Sequence, residues 1–204
     1  MLDNANARRS AARFIDPVAR LMLRLKVTPD GITWFGCGAT IFISVVFLAQ
    51  GNFLIGAILF GAFGLIDLLD GTMARMLGTA GPWGAFLDST LDRISDAAVI
   101  CALIYFYVNA DSSNSQLAVI AGIVSLVMSL MTSYARAKAE SLDAKCTVGI
   151  AERAERNLLI WVALLVSALV TDVMPYALAA LAILSTVTVI QRILFVRKQL
   201  VIKA

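Results

Sequence analysis

The chain has 204 residues, of which 60% are hydrophobic and 15% are charged, and its mean hydropathy is +0.85. A soluble domain averages about 25% charged residues, so this composition excludes an ordinary soluble domain and predicts an integral membrane protein. The 17 Lys and Arg residues only slightly outnumber the 14 Asp and Glu residues, and we expect no nucleic-acid partner. No cleavable signal peptide is expected, because the first residues are polar and basic rather than a short apolar core.

The N-terminal segment, residues 8–26, interleaves cations with apolar side chains. Its cations are Arg8, Arg9, Arg13, Arg20, Arg24 and Lys26. This pattern predicts an amphipathic helix that lies in the headgroup plane of a membrane, with its cations near anionic lipid. Pro17, directly after Asp16, predicts a break or a helix start within the segment.

Apolar segments that follow are predicted to cross the membrane as six helices. They cover about residues 31–49, 53–73, 85–108, 117–134, 157–170 and 176–195. A charged connection, residues 136–156, separates the fourth segment from the fifth. The expected fold is an all-α integral membrane protein with six transmembrane helices (31–198) after an amphipathic surface helix, in a single domain (1–204).

The Lys and Arg residues are distributed unevenly between the two sides of this layout. All 17 lie in the N-terminal segment, near the connections between segments two and three or four and five, or near the C-terminal end. The connections at 50–52, 109–116 and 171–175 contain none. Because cations accumulate on the cytoplasmic side, we expect a multi-pass protein of the cell membrane with both termini and the active site facing the cytoplasm.

Four carboxylates lie within or beside strongly apolar sequence: Asp67, Asp70, Asp88 and Asp92. The members of each pair are three or four residues apart and share a helix face, and a Gly-rich turn at 76–83 allows the two helices to face each other. Four carboxylates make a hard oxygen site for Mg²⁺, Mn²⁺ or Ca²⁺. The alternative is that they cap helices or pair with Arg75 and Arg93. Each carboxylate in a membrane helix costs about 2.5–3.5 kcal/mol on insertion, and four at matched helical spacing are hard to explain without a function. We therefore favour a metal-assisted phosphoryl-transfer site.

These residues belong to a longer pattern, Asp67-x2-Asp70-Gly71-x2-Ala74-Arg75-x8-Gly84-x3-Asp88-x3-Asp92. The pattern resembles the full signature of the CDP-alcohol phosphotransferases, which transfer the phosphoryl-linked group of a CDP-linked donor to an alcohol hydroxyl and release CMP. The resemblance implies two Mg²⁺ or Mn²⁺ ions held by the four Asp residues, and Asp92 as general base toward the acceptor. Two nearby cations favour the charged form of a carboxylate and weaken it as a base, so metal activation of the hydroxyl is expected to contribute more.

The resemblance also implies a CDP-binding region. Its residues are Pro29, Asp30, Thr33, Asp67, Gly71, Ala74, Arg75 and Gly84. Gly71, Ala74 and Gly84 leave room for a closely bound ligand, although helix packing is an alternative role for the glycines. Arg75 either contacts a phosphate or pairs with an Asp. The Thr-Pro-Asp sequence before Thr33 is also an ordinary helix start.

Cations and hydroxyls near three of the predicted helix ends are candidates for an acceptor-phosphate pocket, because guanidinium groups bind phosphate bidentately. The candidates are Thr132, Ser133, Arg136, Lys138, Arg153, Arg156 and Arg192. The alternative is ordinary cytoplasmic charge, partly neutralised by Glu140, Glu152 and Glu155. Arg192 lies in an apolar run, where a cation is costly and a partner is expected.

The sequences Ser-Tyr-Ala-Arg-Ala-Lys-Ala-Glu and Ala-Glu-Arg-Ala-Glu-Arg resemble the actinobacterial phosphatidylinositol phosphate synthases. This resemblance implies CDP-diacylglycerol as donor, inositol 1-phosphate as acceptor, and a homodimer by analogy and common symmetry. A phosphatidylglycerophosphate synthase that uses glycerol 3-phosphate is the alternative enzyme. A cation transporter with an Asp-lined site is a distant alternative, because the outer halves of the segments are apolar, and a non-catalytic membrane scaffold leaves the Asp spacing unexplained.

Overall fold

The described part of the chain is helical throughout, with no strand. In this computed structural model the backbone is described over residues 5–202 and the side chains over residues 15–64 and 69–201. The helices are α1 (Ala5–Arg24), α2 (Pro29–Val46), α3 (Phe53–Leu77), α4 (Pro82–Asn109), α5 (Ser115–Glu140), α6 (Arg153–Leu169) and α7 (Met174–Ile202), with a 3₁₀ turn at Leu48–Gln50 between α2 and α3. The all-α prediction is confirmed for this part of the chain.

Four of the described helices are long and apolar enough to cross a membrane, judged by length and composition. They are Pro29–Gln50, Phe53–Leu77, Ser115–Glu140 and Met174–Val201. Helices also occupy the other two predicted segments, but α6 has only 17 residues, fewer than the roughly 20 of a spanning helix. Between residues 88 and 96, helix α4 carries four charged side chains, Asp88, Asp92, Arg93 and Asp96. On these features the chain is an integral membrane protein with four such helices, and the prediction of six is not established.

Several helices extend beyond the apolar segments that predicted them. Helix α5 continues to Glu140 and α7 to Ile202, since Arg, Lys, Glu and Gln are good helix formers even though they end an apolar run. Helix α1 continues through Pro17, where the sequence predicted a break or a new start. The proline ring there removes one backbone hydrogen-bond donor without ending the helix.

The chain divides into two compact units, and the first comprises residues up to Ile43 together with Ile58–Ser95. One of its apolar clusters joins three helices through Ala19 of α1, Ile32 of α2, and Leu69 and Met73 of α3. A second cluster joins Cys37 of α2 to the first half of α4. Helix α2 therefore packs against α1 and α3 on one side and against α4 on another.

The second unit comprises Ser44–Ala57 and the chain from Asp96 onward. Ser125 of α5 donates a hydrogen bond of 2.8 Å to the carbonyl of Leu178 in α7. A Cβ atom on Gly122 would lie 2.6 Å from Cγ1 of Ile104, so glycine allows α5 to approach α4 closely. These small residues explain how long apolar helices pack side by side, since small side chains permit close backbone approach.

Residues 141–152, here called the α5–α6 segment, lie along α7 within the second unit. The amide of Ala151 donates to Oγ1 of Thr188 at 3.1 Å. Nearer the C-terminus, the amide of Lys145 donates to Oε1 of Gln199 at 3.0 Å and Nε2 of Gln199 donates back to the Lys145 carbonyl at 2.6 Å. Cys146, between these points, is buried against Val196. The start of the segment hydrogen-bonds back to α5, and the rest is held to α7 by these side-chain contacts rather than by regular structure.

Candidate active site

The turn that separates the two pairs of carboxylates is set by local sequence. Gly78 has φ of 68°, and the amide of Thr79 donates to the Ala74 carbonyl at 3.0 Å. This is the arrangement that ends helices at a left-handed residue, where glycine has no steric penalty. Pro82 then begins α4 at the first helical position, where a missing amide costs nothing. The turn occurs where the sequence predicted it.

Asp70 is a buried carboxylate whose two oxygens each have a described partner. Only 8% of the residue is exposed. Its Oδ2 accepts a hydrogen bond of 2.7 Å from Oγ1 of Thr33, and its Oδ1 accepts one of 2.5 Å from the amide of Gly71. The Thr33 hydroxyl also lies 3.2 Å from the carbonyl of Pro29, but it has a single proton, and the shorter contact to Asp70 is the stronger one.

Asp88 and Asp92 lie one turn apart on α4. Asp92 is 9% exposed, and Asp88 is half-buried. Leu87 and Leu91 occupy the neighbouring positions and pack on Cys37 of α2, which fixes the rotation of this part of α4. The Asp67 side chain lies outside the described residues, so its predicted place beside Asp70 stays a prediction.

The donor set fits a divalent metal by its chemistry. Carboxylate oxygens are the ligands that Mg²⁺ and Mn²⁺ prefer, and the Thr33 hydroxyl supports Asp70 as outer partners support ligating carboxylates. Among the described side chains, which omit Asp67, no group of three or more Asp, Glu, Cys or His residues is close enough to hold an ion.

The glycines of the pattern have no packing role that explains them. Among the described residues, a Cβ atom on Gly84 would meet no atom within 4 Å, and one on Gly71 would approach only the end of the Arg75 side chain, at 3.3 Å. Helix packing, the alternative role for these glycines, is therefore not seen at Gly84. Arg75 itself is exposed and donates to Oγ1 of Thr72 at 3.0 Å, while Ala74 is half-buried.

Trp83 contacts a predicted site residue, Asp30, and the sequence reasoning did not name it as a candidate. Its indole Nε1 donates a hydrogen bond of 2.9 Å to Oδ2 of Asp30, which ties the start of α2 to the start of α4. Trp83 directly precedes Gly84 of the pattern, and a tryptophan in a polar turn was the available signal. Pro29 and Thr33 flank Asp30 on the same first turn of α2.

In the second unit, Arg153 and Arg156 converge on a carboxylate that the sequence reasoning also missed. Nε of Arg153 lies 3.5 Å from Oδ1 of Asp96, and Nη2 of Arg156 lies 3.8 Å from Oδ2. Nδ2 of Asn157 donates to Oδ1 at 3.4 Å. Asp96 is four residues after Asp92, and this spacing on one helix was the signal that went unused. Two of the predicted pocket residues are therefore together.

Arg192 is buried, and its partners are backbone carbonyls. Its Nη1 donates to the carbonyl of Thr132 at 2.5 Å, and its Nε donates to that of Val148 at 2.9 Å. A Cβ atom on Gly149 would lie 3.6 Å from this guanidinium. Arg192 therefore has the partners that its burial required. Through them, it joins α7 to α5 and to the α5–α6 segment.

The remaining pocket candidates lie near the end of α5. Arg136 is exposed and pairs with Glu140 at 2.9 Å, one turn later, which matches the alternative of partly neutralised surface charge. Lys138 is exposed and Ser133 is half-buried. Thr132 is buried, and its hydroxyl donates to the Met128 carbonyl at 2.8 Å, so its described contact with Arg192 is through its backbone.

Comparison with known proteins decides the family. The family model described as CDP-alcohol phosphatidyltransferase matches residues 26–190, a range that includes the Asp pattern, Arg153 and Arg156. The chain belongs to the CDP-alcohol phosphatidyltransferase family. The resemblance read from the pattern is thus confirmed, and the chain is an enzyme of this family.

Several relatives are named for the synthesis of an inositol phosphate lipid. The chain is 39% identical over 196 residues to the phosphatidylinositol phosphate synthase of Cutibacterium acnes, covering 92% of this chain and 94% of the relative. It is 39% identical over 189 residues to the archaetidylinositol phosphate synthase of Methanothermobacter thermautotrophicus, covering 92% and 91%.

Solved structures of the Mycobacterium tuberculosis phosphatidylinositol phosphate synthase share this fold. The structure with CDP-DAG bound gives a TM-score of 0.85 at 35% identity, covering 91% of this chain and 94% of that one. The structure in complex with manganese and citrate gives a TM-score of 0.83 at 35% identity, covering 88% and 87%.

Proposed function

We propose that the protein transfers the phosphatidyl group of CDP-diacylglycerol to inositol 1-phosphate and forms phosphatidylinositol phosphate and CMP. The acceptor hydroxyl oxygen forms a bond to the lipid-side phosphorus, the bond from that phosphorus to CMP breaks, and the hydroxyl proton leaves. The observation that carries the proposal is the similarity over more than nine-tenths of the chain to phosphatidylinositol phosphate synthases.

Two of the relatives' names support inositol phosphate as the acceptor more strongly than they support a particular lipid donor. The bacterial and archaeal relatives are equally similar to this chain and are named for phosphatidyl and archaetidyl lipids, but both names contain inositol phosphate. A glycerol 3-phosphate acceptor remains the alternative that the experiment below must test. CDP-diacylglycerol as donor is supported by CDP-DAG in the mycobacterial structure.

The proposed metal site holds two divalent ions between Asp67, Asp70, Asp88 and Asp92. Manganese in a mycobacterial structure and the buried Asp carboxylates of this chain support a divalent metal. When bound, such ions neutralise the charge of the pyrophosphate and of the developing transition state. Thr33 holds Asp70 in one orientation through its hydroxyl, and Asp92 is the proposed acceptor of the hydroxyl proton.

The nucleotide is proposed to lie against the open face of the Asp pattern. The space over Gly84 admits a ligand that a side chain would obstruct. Asp30 and Trp83, joined by their hydrogen bond, form an edge of this region with Pro29 and Thr33. Arg75 is exposed and carries donors suited to a phosphate.

The acceptor's phosphate is proposed to bind Arg153 and Arg156, with Arg192 as a buried support. Arg192 holds the Thr132 and Val148 carbonyls and so fixes the segment that leads to α6. The wider proposed pocket includes the groups at the end of α5. These are Thr132, Ser133, Arg136 and Lys138.

In the membrane we propose six spanning helices, α2 to α7, and α1 at the cytoplasmic surface. Helix α1 buries Ala19 in the protein, while Val18 and Leu21 on the helix and Leu25 directly after it are exposed, as on a helix that lies in the headgroup plane. The charge distribution supports cytoplasmic termini in the cell membrane. A single domain is supported by a family match that runs through both compact units, and a homodimer is proposed by common symmetry.

The test is CMP release from CDP-diacylglycerol in liposomes that contain the purified protein. Inositol 1-phosphate, glycerol 3-phosphate and free inositol are offered separately, with Mg²⁺ or Mn²⁺ or with a chelator. We expect metal-dependent release with inositol 1-phosphate and its loss in Asp88→Asn, with Asp111→Asn as the control because Asp111 lies in an exposed loop. Release with glycerol 3-phosphate alone would contradict the acceptor, and full activity of Asp88→Asn would contradict the metal site.

A further inference from the structure

Asp96 connects the two arginines at the start of α6. Its carboxylate lies 3.5 Å from Arg153 and 3.8 Å from Arg156, measured between nitrogen and oxygen. The Arg156 side chain is 5% exposed and the Asp96 side chain 15%, whereas 34% of the Arg153 side chain is exposed. One half-buried carboxylate therefore faces a buried guanidinium and a more open one.

Protein stability alone does not favour this arrangement. Arg153 and Arg156 lie in the first turn of α6, where the helix dipole disfavours cations, and burial of Arg156 adds a desolvation cost. Arg156 also donates to the carbonyl of Ala151 at 3.1 Å. Asp96 offsets part of this electrostatic cost. Two cations at a place that stability alone disfavours point to a role in binding.

The contacts to Asp96 can hold the orientation of the arginines without forming a bidentate pair. A bidentate charge-assisted pair has nitrogen–oxygen distances of about 2.7–2.9 Å, and both contacts to Asp96 are longer. Asn157 donates to the same Oδ1 at 3.4 Å, which limits the rotation of the carboxylate. Asp96 thus faces both arginines without occupying either fork bidentately.

We propose that Asp96 is a positioning residue that orients Arg153 and Arg156 toward the phosphate of the acceptor. This inference rests on the proposed function, because it assigns Asp96 to the acceptor side of that reaction. Asp96 contacts neither substrate in this proposal and acts through the two guanidinium groups. Its removal therefore affects the acceptor and leaves the donor unaffected.

The experiment compares wild type, Asp96→Asn and Asp111→Asn in liposomes, with separate titrations of inositol 1-phosphate and CDP-diacylglycerol. Asp96→Asn keeps the shape of the side chain and removes its charge. We expect the acceptor KM to rise about tenfold or more, as when an outer partner that orients a ligating group is lost, with the donor KM unchanged. A purely structural ion pair would instead lower the folded fraction, or kcat, equally for both titrations.

A double-mutant cycle provides the second measurement. The acceptor KM is compared between the variant Arg153→Ala plus Arg156→Ala and the same variant with Asp96→Asn added. If Asp96 acts through the arginines, the added substitution changes this KM little. If Asp96 acts independently, its effect on KM multiplies that of the arginine substitutions. If Asp96→Asn does not fold, Asp96→Glu replaces it, because it keeps the charge and moves the carboxylate by one methylene. We expect Asp96→Glu to raise the acceptor KM as well.

The outcomes distinguish this inference from the proposed function. Wild type that releases no CMP with inositol 1-phosphate overturns the proposed function and this inference with it. Wild type that is active, with an acceptor KM unchanged in Asp96→Asn, overturns the role of Asp96 alone. An acceptor KM that falls in Asp96→Asn has the same consequence, because it would mean that Asp96 competes with the phosphate.

Discussion

The Thr33 hydroxyl donates a hydrogen bond of 2.7 Å to Oδ2 of Asp70 from a helix 37 residues earlier in the chain. Asp70 also receives the amide of Gly71, so its carboxylate is held by both of its oxygens. A buried carboxylate with fixed orientation is poised to accept a cation, since its ordering cost is already met by the fold.

Removal of this hydroxyl is expected to weaken metal binding. Thr33→Val keeps the volume of the side chain and removes the donor to Asp70, so we expect the metal concentration for half-maximal CMP release to rise about 10–100-fold. Thr186→Val is the control, because the Thr186 hydroxyl donates only to the Ala182 carbonyl of its own helix in its described contact. An equal shift in both variants would contradict the role of Thr33.

Gly84→Ala is expected to stabilise the fold and to weaken binding of CDP-diacylglycerol. A Cβ atom there would meet open space, and Ala is favoured over Gly in a helix by about 1 kcal/mol. We expect thermal unfolding at a higher temperature together with a raised KM for CDP-diacylglycerol. Gly38→Ala, also in a helix and also open at its Cβ position, should leave the donor KM unchanged. A normal donor KM in Gly84→Ala would remove the argument for a ligand above this glycine.

Arg192→Lys is expected to loosen the α5–α6 segment. A Lys side chain lacks the planar fork that holds the Thr132 and Val148 carbonyls, and a buried carbonyl without its partner costs about 1–3 kcal/mol. The measurement is the rate at which a soluble maleimide labels Cys146, followed by mass spectrometry of the peptide. We expect faster labelling, because Cys146 belongs to this segment and is only 1% exposed while the segment is held.

Arg197→Lys is the matched control for this measurement. Arg197 is an exposed cation further along α7, and its replacement should leave the labelling rate of Cys146 unchanged. If Arg192→Lys labels no faster than this control, Arg192 does not hold the segment.

Tyr107→Phe is expected to lower stability without a change in the acceptor or donor KM. The buried Tyr107 hydroxyl donates to Oδ1 of Asp172 at 2.5 Å, and Asp172 in turn accepts the amide of Met174 at the start of α7. A lost hydrogen bond to a charged group costs about 1.5–3 kcal/mol. Thermal unfolding in detergent measures the change, with Tyr105→Phe as control because Tyr105 is exposed on the same helix. Equal stability of the two variants would contradict this prediction.

The sequence predicts the positions of the helices well and their ends less well. An apolar run marks the part of a helix that avoids water, and α5 and α7 continue beyond their runs because residues such as Lys138 and Gln199 still favour helix. The Asp pattern is readable because its spacing is helical. The side-chain position of Asp67 and the approach of the two Asp pairs stay predictions.

The contacts of the arginines are not readable in the same way. Arg192 is paired with carbonyls 44 and 60 residues away, and a backbone carbonyl leaves no mark in the composition. The sequence shows Asp96 but does not show that it contacts Arg153, because that contact depends on how α6 packs. Such contacts follow from tertiary structure rather than from local spacing.

The length of the α5–α6 segment is set by its two points of contact with α7. Its contacts with Thr188 and Gln199 lie eleven residues apart on α7, a rise of about 16 Å along the helix axis. The chain between Lys145 and Ala151 bridges this distance in six residue steps, which reach about 20 Å when fully extended. Loss of a single residue would leave almost no slack, so this connection should tolerate changes of side chain far better than changes of length.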